Sequence, residues 1–408
     1  MAGKLGTRDV PLTTGMPQSS TETMHAITWN GTYDVSYNEV PKPVVSDPGD
    51  ALVRVTATTI CGSDLHAYAK EIQGFRKGMI LGHEAIGIIE EVGEGVRKLK
   101  VGDRVVLSFC ISCGQCSHCK RGQWSGCEKT NPTKLMKGMY GHTFSGIYGY
   151  GELGGSFAGS QAEYVRVPIA EVNCLKLPES VPDEKGLYLS DIAVTSFHAA
   201  VDLGQVQKGD VVAIWGAGPI GMLTAKWCEI YGAKQIYVIE NVPERISLVE
   251  QNIRGADSIN FDDVNVTEEL QKLCPEGVDV AIECAGFRYA KSSLHKAERA
   301  MKMETDTAEL VNECIYATKL YGRVVLIADY VGYTNHFNIG ALMEKHIYLS
   351  GGQCPVQACW DRVLHHIEKG DFDPTICVTH RGKLEDAPVF YSKMFYKEDG
   401  IVKTFLRP

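Results

Sequence analysis

The sequence predicts an α/β protein in which a mostly β domain precedes a domain built on a doubly wound parallel sheet. From Met24 to about Gly186, short apolar runs such as ALVRVTATTI and VGDRVVLSF are broken by Gly and Pro, which is typical of β structure. From about Val211, apolar strands, glycine turns and amphipathic helices alternate, beginning with VVAIWG and PIGMLTAKWCEIYG. Such alternation indicates βαβ units and a parallel sheet.

These changes in sequence pattern predict where the domain boundaries lie. Residues 1–23 are polar and rich in Gly, Thr and Ser, so we expect a flexible N-terminal arm. Residues 24–190 and 353–408 are predicted to form the first domain, because the segments DRVLHHIEKG and IVKTFLRP could return to it. Residues 191–352 are predicted to form the parallel-sheet domain. Within it, the long charged segment 287–307 is expected to be a surface insertion.

Composition narrows the class of protein. The 408 residues, 44% hydrophobic and 22% charged, are enough for two domains with hydrophobic cores. A formal net charge of −9 without a run of Lys or Arg is not typical of proteins that bind nucleic acid or an anionic membrane. No apolar stretch approaches the roughly 20 residues of a membrane span, and no signal peptide is recognisable. We therefore expect a cytoplasmic protein that acts on small molecules, in which the 14 cysteines serve metal binding rather than disulfides.

A glycine-rich loop carries the first functional signal. Gly216, Gly218 and Gly221 have the G-x-G-x-x-G spacing between an apolar strand and a helix-forming segment, with Pro219 and Ile220 inside the loop. In a Rossmann domain these glycines permit a tight turn, close approach of a pyrophosphate and close packing of helix on strand. The helix N-terminus then holds the diphosphate. The loop predicts a dinucleotide site, with an ordinary glycine turn as the alternative.

Two charged residues bear on which dinucleotide binds. Glu240 stands at the end of the next predicted strand, where it could accept hydrogen bonds from the ribose hydroxyls and repel a 2′-phosphate. This favours NAD over NADP. Arg245, five residues further on, could face a phosphate or be a solvated residue on the following helix.

A dense group of cysteines predicts a metal site. Cys113, Cys116, Cys119 and Cys127 have C-x₂-C-x₂-C-x₇-C spacing and can close a tetrahedral shell round zinc. A closed shell has no position for substrate, so this zinc would be structural. Cys110 also permits a shifted ligand set with Cys113 and Cys116. Unliganded thiols and a redox sensor are the alternatives.

Two earlier segments offer further metal ligands. ICGSDLHAYAK contains Cys61, Ser63 and His66, and GHEAIGIIEEVGEG contains His83 and Glu84 directly after its first glycine. Each segment alone is weak, because an isolated Cys or His is usually packed in a core. Together with the cysteine group and the glycine loop, they resemble the zinc-dependent alcohol dehydrogenases of the medium-chain dehydrogenase/reductase superfamily. The resemblance covers nearly the whole chain after the predicted arm, and implies a GroES-like catalytic domain with a catalytic zinc at Cys61 and His83.

The third ligand distinguishes a branch of that family. The family commonly uses a cysteine there, whereas LYLSDIAVTSFHAA of this chain offers Asp191. A carboxylate can bind zinc and leave the fourth position open, although Asp191 could instead cap the following helix. Asp191, GELGGSFAGSQAEYVRVP, ETDT at 304–307, YVGYTNHFNIGALMEKH and SGGQCPVQ resemble the glutathione-independent formaldehyde dehydrogenases, a branch that includes formaldehyde dismutases. Glu84 is expected beside the ligands, and His198 beneath the site.

The resemblance implies a reaction. Hydride would pass between an alcohol or aldehyde hydrate and NAD, with one catalytic and one structural zinc, in a homodimer or homotetramer. Zinc would act as a Lewis acid, while Ser63 accepts the substrate proton and passes it along the nicotinamide ribose to His66. If the reduced cofactor stays bound, a second aldehyde could take the hydride back. The segment 287–307 is the candidate for covering such a trapped cofactor.

Two other functions fit the same residues. One is an NAD-dependent dehydrogenase of a larger primary or secondary alcohol, and the other is a catalytically inactive nucleotide-binding relative. The aromatic residues Phe109, Trp124, Tyr140 and Tyr150 could line a small substrate pocket, or could simply fill the core.

Overall fold

The computed structural model describes residues 18–131, 133–286, 292–301 and 303–408. The strands are β1 (Gln18–Gly31), β2 (Asp34–Pro43), β3 (Ala51–Thr58), β4 (Met79–Ile80), β5 (Ala85–Val92), β6 (Arg104–Leu107), β7 (Cys110–Ile111), β8 (Gly146–Ile147), β9 (Tyr164–Val167), β10 (Cys174–Lys176), β11 (Val211–Trp215), β12 (Gln235–Ile239), β13 (Ala256–Ile259), β14 (Val278–Glu283), β15 (Thr318–Leu326), β16 (Tyr348–Gly351), β17 (Val378–Lys383) and β18 (Lys403–Arg407). The α-helices are α1 (Gly62–Tyr68), α2 (Ser117–Lys120), α3 (Lys134–Tyr140), α4 (Ala170–Asn173), α5 (Asp183–Gly186), α6 (Ile192–Phe197), α7 (Pro219–Ile230), α8 (Pro243–Asn252), α9 (Val266–Leu273), α10 (Ser293–Ala300), α11 (Glu309–Ala317), α12 (Ile339–Glu344), α13 (Val356–Lys369) and α14 (Ala387–Tyr396). Within these described residues, no helix is long and apolar enough to cross a bilayer.

The chain divides into two compact units. The first unit contains the chain up to Val194 together with Cys354–Gly370 and Val378–Pro408. The second unit contains Thr195–Gln353 and Asp371–Cys377. The assignment of the short segment Asp371–Cys377 to the second unit was not predicted from the sequence.

The first unit contains a largely antiparallel sheet, in which β17 and β18 run parallel. Its strand order is β10-β6-β5-β3-β18-β17, and β9 also pairs with β3. Alternate residues of β3, among them Val53 and Val55, point into a core that includes Ile89, Leu107 and Val165. Strand β18 joins this sheet next to β3, so the C-terminal residues return to the first unit.

The N-terminal strand begins earlier than the sequence predicts. Residues 1–17 lie outside the described residues, but residues 18–23, assigned above to a flexible arm, belong to β1. Gln18 pairs with Pro43 and, after an irregularity in register, Thr23 pairs with Pro41. The prediction of an arm up to residue 23 is wrong for this stretch, because Gln18 and Thr23 both pair with β2.

The second unit is built on a parallel sheet. Its strand order is β13-β12-β11-β14-β15-β16, the doubly wound order in which strand succession reverses beside the first strand. The predicted fold class is therefore confirmed. Buried apolar side chains of the sheet pack against helix residues such as Leu310 and Ile315. The carboxyl ends of β11, β12, β14 and β15 lie at one edge, where open α/β sheets bind ligands.

The predicted surface insertion is only partly described. Residues 287–291 and Lys302 lie outside the described residues, and α10 occupies Ser293–Ala300. At the end of the segment, Glu304, Asp306 and Thr307 are buried. The expectation of a surface segment is wrong there, because Asp306 accepts hydrogen bonds from the backbone N–H groups of Val331 and Gly332.

A buried carboxyl at the end of β14 gives a prediction about stability. Glu283 is fully buried, and burial raises its pKa to about 7. Between pH 4.5 and 7, the folded protein keeps a proton that the unfolded chain has released, so this group makes stability fall as pH rises. We expect Glu283→Gln to remove the effect, so that its free energy of unfolding relative to wild type increases by about 2 kcal/mol from pH 5 to pH 8.

Urea denaturation at the two pH values measures this difference. Glu250→Gln, at an exposed position of α8, is the matched control and should show no comparable pH dependence. Equal behaviour of the two variants would contradict the role given to Glu283.

Candidate active site and metal centres

Three separated segments of the first unit bring possible metal ligands together. Cys61 lies directly before α1, His83 lies between β4 and β5, and Asp191 lies directly before α6. The Asp191 carboxylate oxygen Oδ2 is 3.8 Å from Cys61 Sγ and 3.5 Å from His83 Nε2. All three residues are buried, with 9%, 3% and 9% of the surface of Cys61, His83 and Asp191 exposed.

The spacing of these donor atoms suits zinc. In a tetrahedral zinc site, a carboxylate oxygen lies about 3.6 Å from a thiolate sulfur and about 3.4 Å from an imidazole nitrogen, given usual metal–ligand distances. The distances in the first unit match these values closely. The alternative, in which Asp191 serves only as a helix cap, does not account for its contacts with Cys61 and His83. The arrangement fits a zinc ion with three protein ligands.

The other nitrogen of His83 faces a second carboxylate. Asp64 Oδ1 is 3.4 Å from His83 Nδ1, and Asp64 Oδ2 accepts hydrogen bonds from the backbone N–H of Cys61 and from Gln161 Nε2. Tyr391 in turn donates its hydroxyl hydrogen to Gln161 Oε1. Such contacts orient a metal-binding imidazole. Sequence reasoning missed Asp64, Gln161 and Tyr391, although Asp64 lies within the same short motif as Ser63 and His66.

Glu84 is held by a buried lysine. The charged atoms of Glu84 and Lys403 are 2.5 Å apart, and each side chain is 1% exposed. Lys403 also donates to the carbonyl oxygen of Ile60. Burial alone would lower the pKa of Lys403, but the charge of Glu84 outweighs it and raises that pKa above its usual range. Glu84 groups with Cys61, His83 and Asp191, and its pairing with Lys403 favours a position beside the ligands.

The negative charges around His83 shift its pKa. Burial would lower the pKa of His83, but Asp64 and Asp191 outweigh it and raise the pKa well above the usual value. Burial raises the pKa of the Cys61 thiol. Zinc binding would release these protons, because zinc takes a thiolate and a neutral imidazole as ligands.

The predicted proton-transfer residues lie in α1 beside this cluster. Ser63 Oγ is 3.7 Å from Cys61 Sγ. His66 Nδ1 is 2.6 Å from Glu71 Oε2, and the side chain of Glu71 is 27% exposed. Glu71 was not predicted, and it extends the polar chain from His66 towards solvent.

Two of the four aromatic candidates lie at the site. The rings of Phe109 and Tyr150 meet the His83 ring edge to face, with centroids 6.3 and 6.4 Å away. Trp124 packs against the four-cysteine group instead. His198 belongs to the second unit, where it pairs with Asp202.

The four predicted structural cysteines form a second donor group. The sulfur of Cys119 lies 4.0 Å from that of Cys113 and 3.5 Å from that of Cys116, and the backbone N–H of Cys113 donates to Cys127 Sγ. Tetrahedral zinc holds thiolate sulfurs about 3.8 Å apart, so this group also fits zinc. The shifted set is not assembled, because Cys110 contacts Ser108 and Gln357.

The glycine loop of the second unit has the geometry of a tight strand-to-helix turn. Gly216 has φ of +92°, in the region that favours glycine. A Cβ atom on Gly221 would lie 1.9 Å from the carbonyl oxygen of Gly216, so only glycine permits this packing of α7. At Gly218, a Cβ atom would meet no atom within 4 Å among the described residues, which leaves room for a close ligand.

Glu240 holds this loop from the neighbouring strand. Its Oε2 accepts a hydrogen bond from the backbone N–H of Ala217 and lies 3.3 Å from Arg245 Nη1. Its Oε1 accepts from the backbone N–H groups of Asn241 and Val242. Burial would raise the pKa of Glu240, but Arg245 and these donors lower it. Arg245 is therefore paired with Glu240, and the expectation that it is solvated is wrong.

Comparison with known proteins identifies the family. Residues 47–179 match the model of the alcohol dehydrogenase GroES-like domain, and residues 219–303 match that of the zinc-binding dehydrogenases. A zinc-type alcohol dehydrogenase-like protein of Schizosaccharomyces pombe is 47% identical over 99% of this chain and 96% of its own length. A glutathione-independent formaldehyde dehydrogenase of Pseudomonas aeruginosa is 32% identical over 75% of each chain.

A solved structure agrees with this assignment. The alcohol dehydrogenase TADH from Thermus sp. ATN1 is 32% identical, with a TM-score of 0.80 over 94% of this chain and 99% of its own. The chain belongs to the zinc-dependent alcohol dehydrogenases of the medium-chain dehydrogenase/reductase superfamily, as the sequence motifs predicted. It is an oxidoreductase that uses zinc and a nicotinamide cofactor.

The reactivity of the four-cysteine group tests its zinc. With zinc bound, we expect Cys113, Cys116, Cys119 and Cys127 to react slowly with a thiol reagent, since metal ligation occupies the thiolates. Removal of zinc by a chelator should accelerate their labelling at least tenfold, as measured by peptide mass spectrometry.

Cys274, a half-buried thiol of the second unit, is the internal control, and its labelling rate should not respond to the chelator. Fast labelling of the four cysteines in the zinc-replete protein would rule out the structural site.

Proposed function

We propose that this enzyme is an NAD-dependent dehydrogenase of small aldehyde hydrates and alcohols that needs no glutathione, with formaldehyde as the leading substrate. The observation that carries the proposal is the contact of Asp191 with both Cys61 and His83. An aspartate in place of the common third cysteine is typical of the glutathione-independent formaldehyde dehydrogenases. The similarity to the Pseudomonas aeruginosa enzyme of that name supports the same substrate class.

In this proposal the first unit is the catalytic domain, and Cys61, His83 and Asp191 hold the catalytic metal. Bound zinc supplies a Lewis acid that lowers the pKa of a substrate hydroxyl. Asp64 orients the His83 ring, and Glu84 stays beside the ligands through its pairing with Lys403. Cys113, Cys116, Cys119 and Cys127 hold the structural zinc.

The proton leaves through α1. Ser63 is placed beside Cys61 to take the proton of the substrate hydroxyl while it gives up its own hydroxyl proton. His66 then receives the proton, and its contact with Glu71 continues the path towards solvent.

Substrate size is limited by aromatic rings. Phe109 and Tyr150 are both buried and stand against His83, close to the proposed metal. Bulky rings at this position favour a substrate of few carbon atoms over a large secondary alcohol.

The cofactor is proposed to be NAD. Gly216, Gly218 and Gly221, together with Pro219 and Ile220, form the pyrophosphate loop at the start of α7. Glu240 is ionised, because its pKa is lowered, and its charge opposes a 2′-phosphate. Arg245 offsets part of that charge, so it tunes the preference rather than reversing it.

We also propose a cytoplasmic homo-oligomer. A zinc site of four free thiols is typical of a reducing compartment. Strand β16 stands at the end of the parallel sheet, and Tyr348 on β16 together with Leu320 and Tyr321 on β15 is exposed. An exposed apolar sheet edge favours pairing with a second copy of the chain.

Removal of the Ser63 hydroxyl tests the proton path. Ser63→Ala should lower kcat by about a hundredfold or more, because general base catalysis commonly contributes that much. Its zinc content, measured by plasma mass spectrometry, should stay at the wild-type level.

Ser63→Thr keeps a hydroxyl and is the matched control, which should recover much of the activity. Loss of zinc in Ser63→Ala would assign Ser63 to metal binding and contradict its role in proton transfer.

A change at Glu240 tests the choice of cofactor. Glu240→Gln keeps an acceptor for the loop but removes the charge, so the ratio of kcat/KM for NAD to that for NADP should fall about tenfold or more. Glu244→Gln, at an exposed position of α8, is the control and should leave the ratio unchanged. An unchanged ratio in Glu240→Gln would count against the assignment.

Product analysis tests the proposed reaction itself. Zinc-replete enzyme is given formaldehyde without glutathione, and formate, methanol and NADH are quantified with and without added NAD. Formate with matching NADH is expected of a dehydrogenase, and equal formate and methanol without added NAD would indicate dismutation by a trapped cofactor. No turnover of formaldehyde, with oxidation of a larger alcohol, would overturn the substrate assignment.

A further inference from the structure

A second group of imidazoles and carboxylates lies in the second unit, outside the sites described above. His295 and Glu298 are on α10, Glu304 follows that helix, and His336 lies between β15 and α12. His295 Nδ1 is 2.6 Å from Glu304 Oε1, and His336 Nε2 is 3.0 and 3.2 Å from the two oxygens of Glu298. The donor atoms of His295, Glu298 and Glu304 all lie within 4.8 Å of one another.

Three of these four side chains are buried. His295, Glu298 and Glu304 are 5%, 8% and 2% exposed, whereas the His336 side chain is 48% exposed. A buried carboxylate needs a compensating positive charge or a metal ion. One divalent cation with two neutral imidazoles would balance the charges of Glu298 and Glu304 completely.

Neutral side chains hold the carboxylates in place from behind. The backbone N–H of Asn335 and the hydroxyl of Thr334 donate to Glu304 Oε2, and Asn335 Nδ2 donates to Glu298 Oε2. The other oxygen of each carboxylate is therefore left towards the imidazoles. Hydrogen bonds of this kind orient the carboxylates that bind metal ions.

The arrangement on α10 also suits a metal. His295 and Glu298 are three residues apart, so both side chains project from one face of the helix. Histidine and glutamate at this spacing are used by carboxylate-rich metal sites in helical proteins. The His295 and His336 rings stand nearly perpendicular, 85° apart, with centroids separated by 5.4 Å, and each ring contacts one of the two carboxylates.

We propose that His295, Glu298 and Glu304 bind a divalent transition metal, with Zn²⁺ as the best match, and that His336, now in contact with Glu298, moves in as the fourth ligand. Two imidazoles and two carboxylates form a tetrahedral set that zinc accepts, and imidazole nitrogen disfavours Mg²⁺ and Ca²⁺. The metal takes the place of the direct contacts between each imidazole and its carboxylate. The site is a third metal centre, separate from the thiol-containing groups of the first unit.

Such a metal would fasten two loops to each other. Glu304 follows the segment after β14, and His336 follows β15, so both lie on connections that leave the carboxyl edge of the parallel sheet. One ion would join these connections beside the edge that binds dinucleotides in folds of this type. We therefore assign the third metal a structural role that holds this edge in one conformation.

The metal content of matched variants tests the site. Full-length enzyme, His336→Asn and Glu298→Gln are saturated with Zn²⁺, freed of excess by gel filtration and analysed by plasma mass spectrometry. His346→Asn is the control, because His346 is also a histidine of the second unit with positive φ. Asparagine tolerates that backbone conformation and does not reach as far as the imidazole.

Wild type and His346→Asn should each hold one more zinc per chain than His336→Asn and Glu298→Gln. Because zinc content is compared between variants, the result does not depend on how much zinc the sites of the first unit hold. Circular dichroism checks that the variants are folded, and the exposed His336 is the least disruptive position to change. The same zinc content in all four proteins would overturn the proposal and leave the group as a network of ion pairs.

Discussion

The ion pair between Glu84 and Lys403 is the constraint on which the first unit depends. Two oppositely charged side chains, each 1% exposed, lie 2.5 Å apart next to Cys61, His83 and Asp191. Loss of either partner would leave an uncompensated charge in the interior, at a cost of about 3–5 kcal/mol. Because Lys403 begins β18, the C-terminal strand must dock beside β3 before this pair can form. The first unit is therefore complete only once β18 has docked beside β3.

Specific hydrogen bonds and contacts also hold the buried acidic side chains of both units in place. Asp64 faces one nitrogen of His83, Gln161 donates to Asp64 and Tyr391 donates to Gln161, while the other nitrogen of His83 is directed at Asp191. In the second unit, Glu240 does the corresponding work by holding the backbone of the glycine loop. Both units thus use a buried carboxylate to position a functional group, and each carboxylate is compensated by a specific donor.

Sequence patterns predicted functional groups whose residues lie close together in the chain. Contacts between residues far apart in the chain were found only in the structure. The thiols from Cys113 to Cys127 and the glycines from Gly216 to Gly221 could be recognised because fixed spacing expresses their geometry directly. Lys403 and Tyr391 could not, because each is a common residue type more than 200 positions from its partner in the chain. The early start of β1 could not be predicted either, because backbone hydrogen bonds to β2 do not require apolar side chains at residues 18–23. Asp64 and Gln161 were missed although each lies within a segment that the sequence analysis singled out.

Anomalous diffraction at the zinc edge, from crystals of the zinc-replete enzyme, tests whether Cys61, His83 and Asp191 hold a zinc ion. We expect a peak enclosed by Cys61 Sγ, His83 Nε2 and the Asp191 carboxylate, with a second peak among the four thiols. A peak among the thiols with none beside Asp191 would contradict the account, because the residues on which the proposed chemistry rests would then hold no metal.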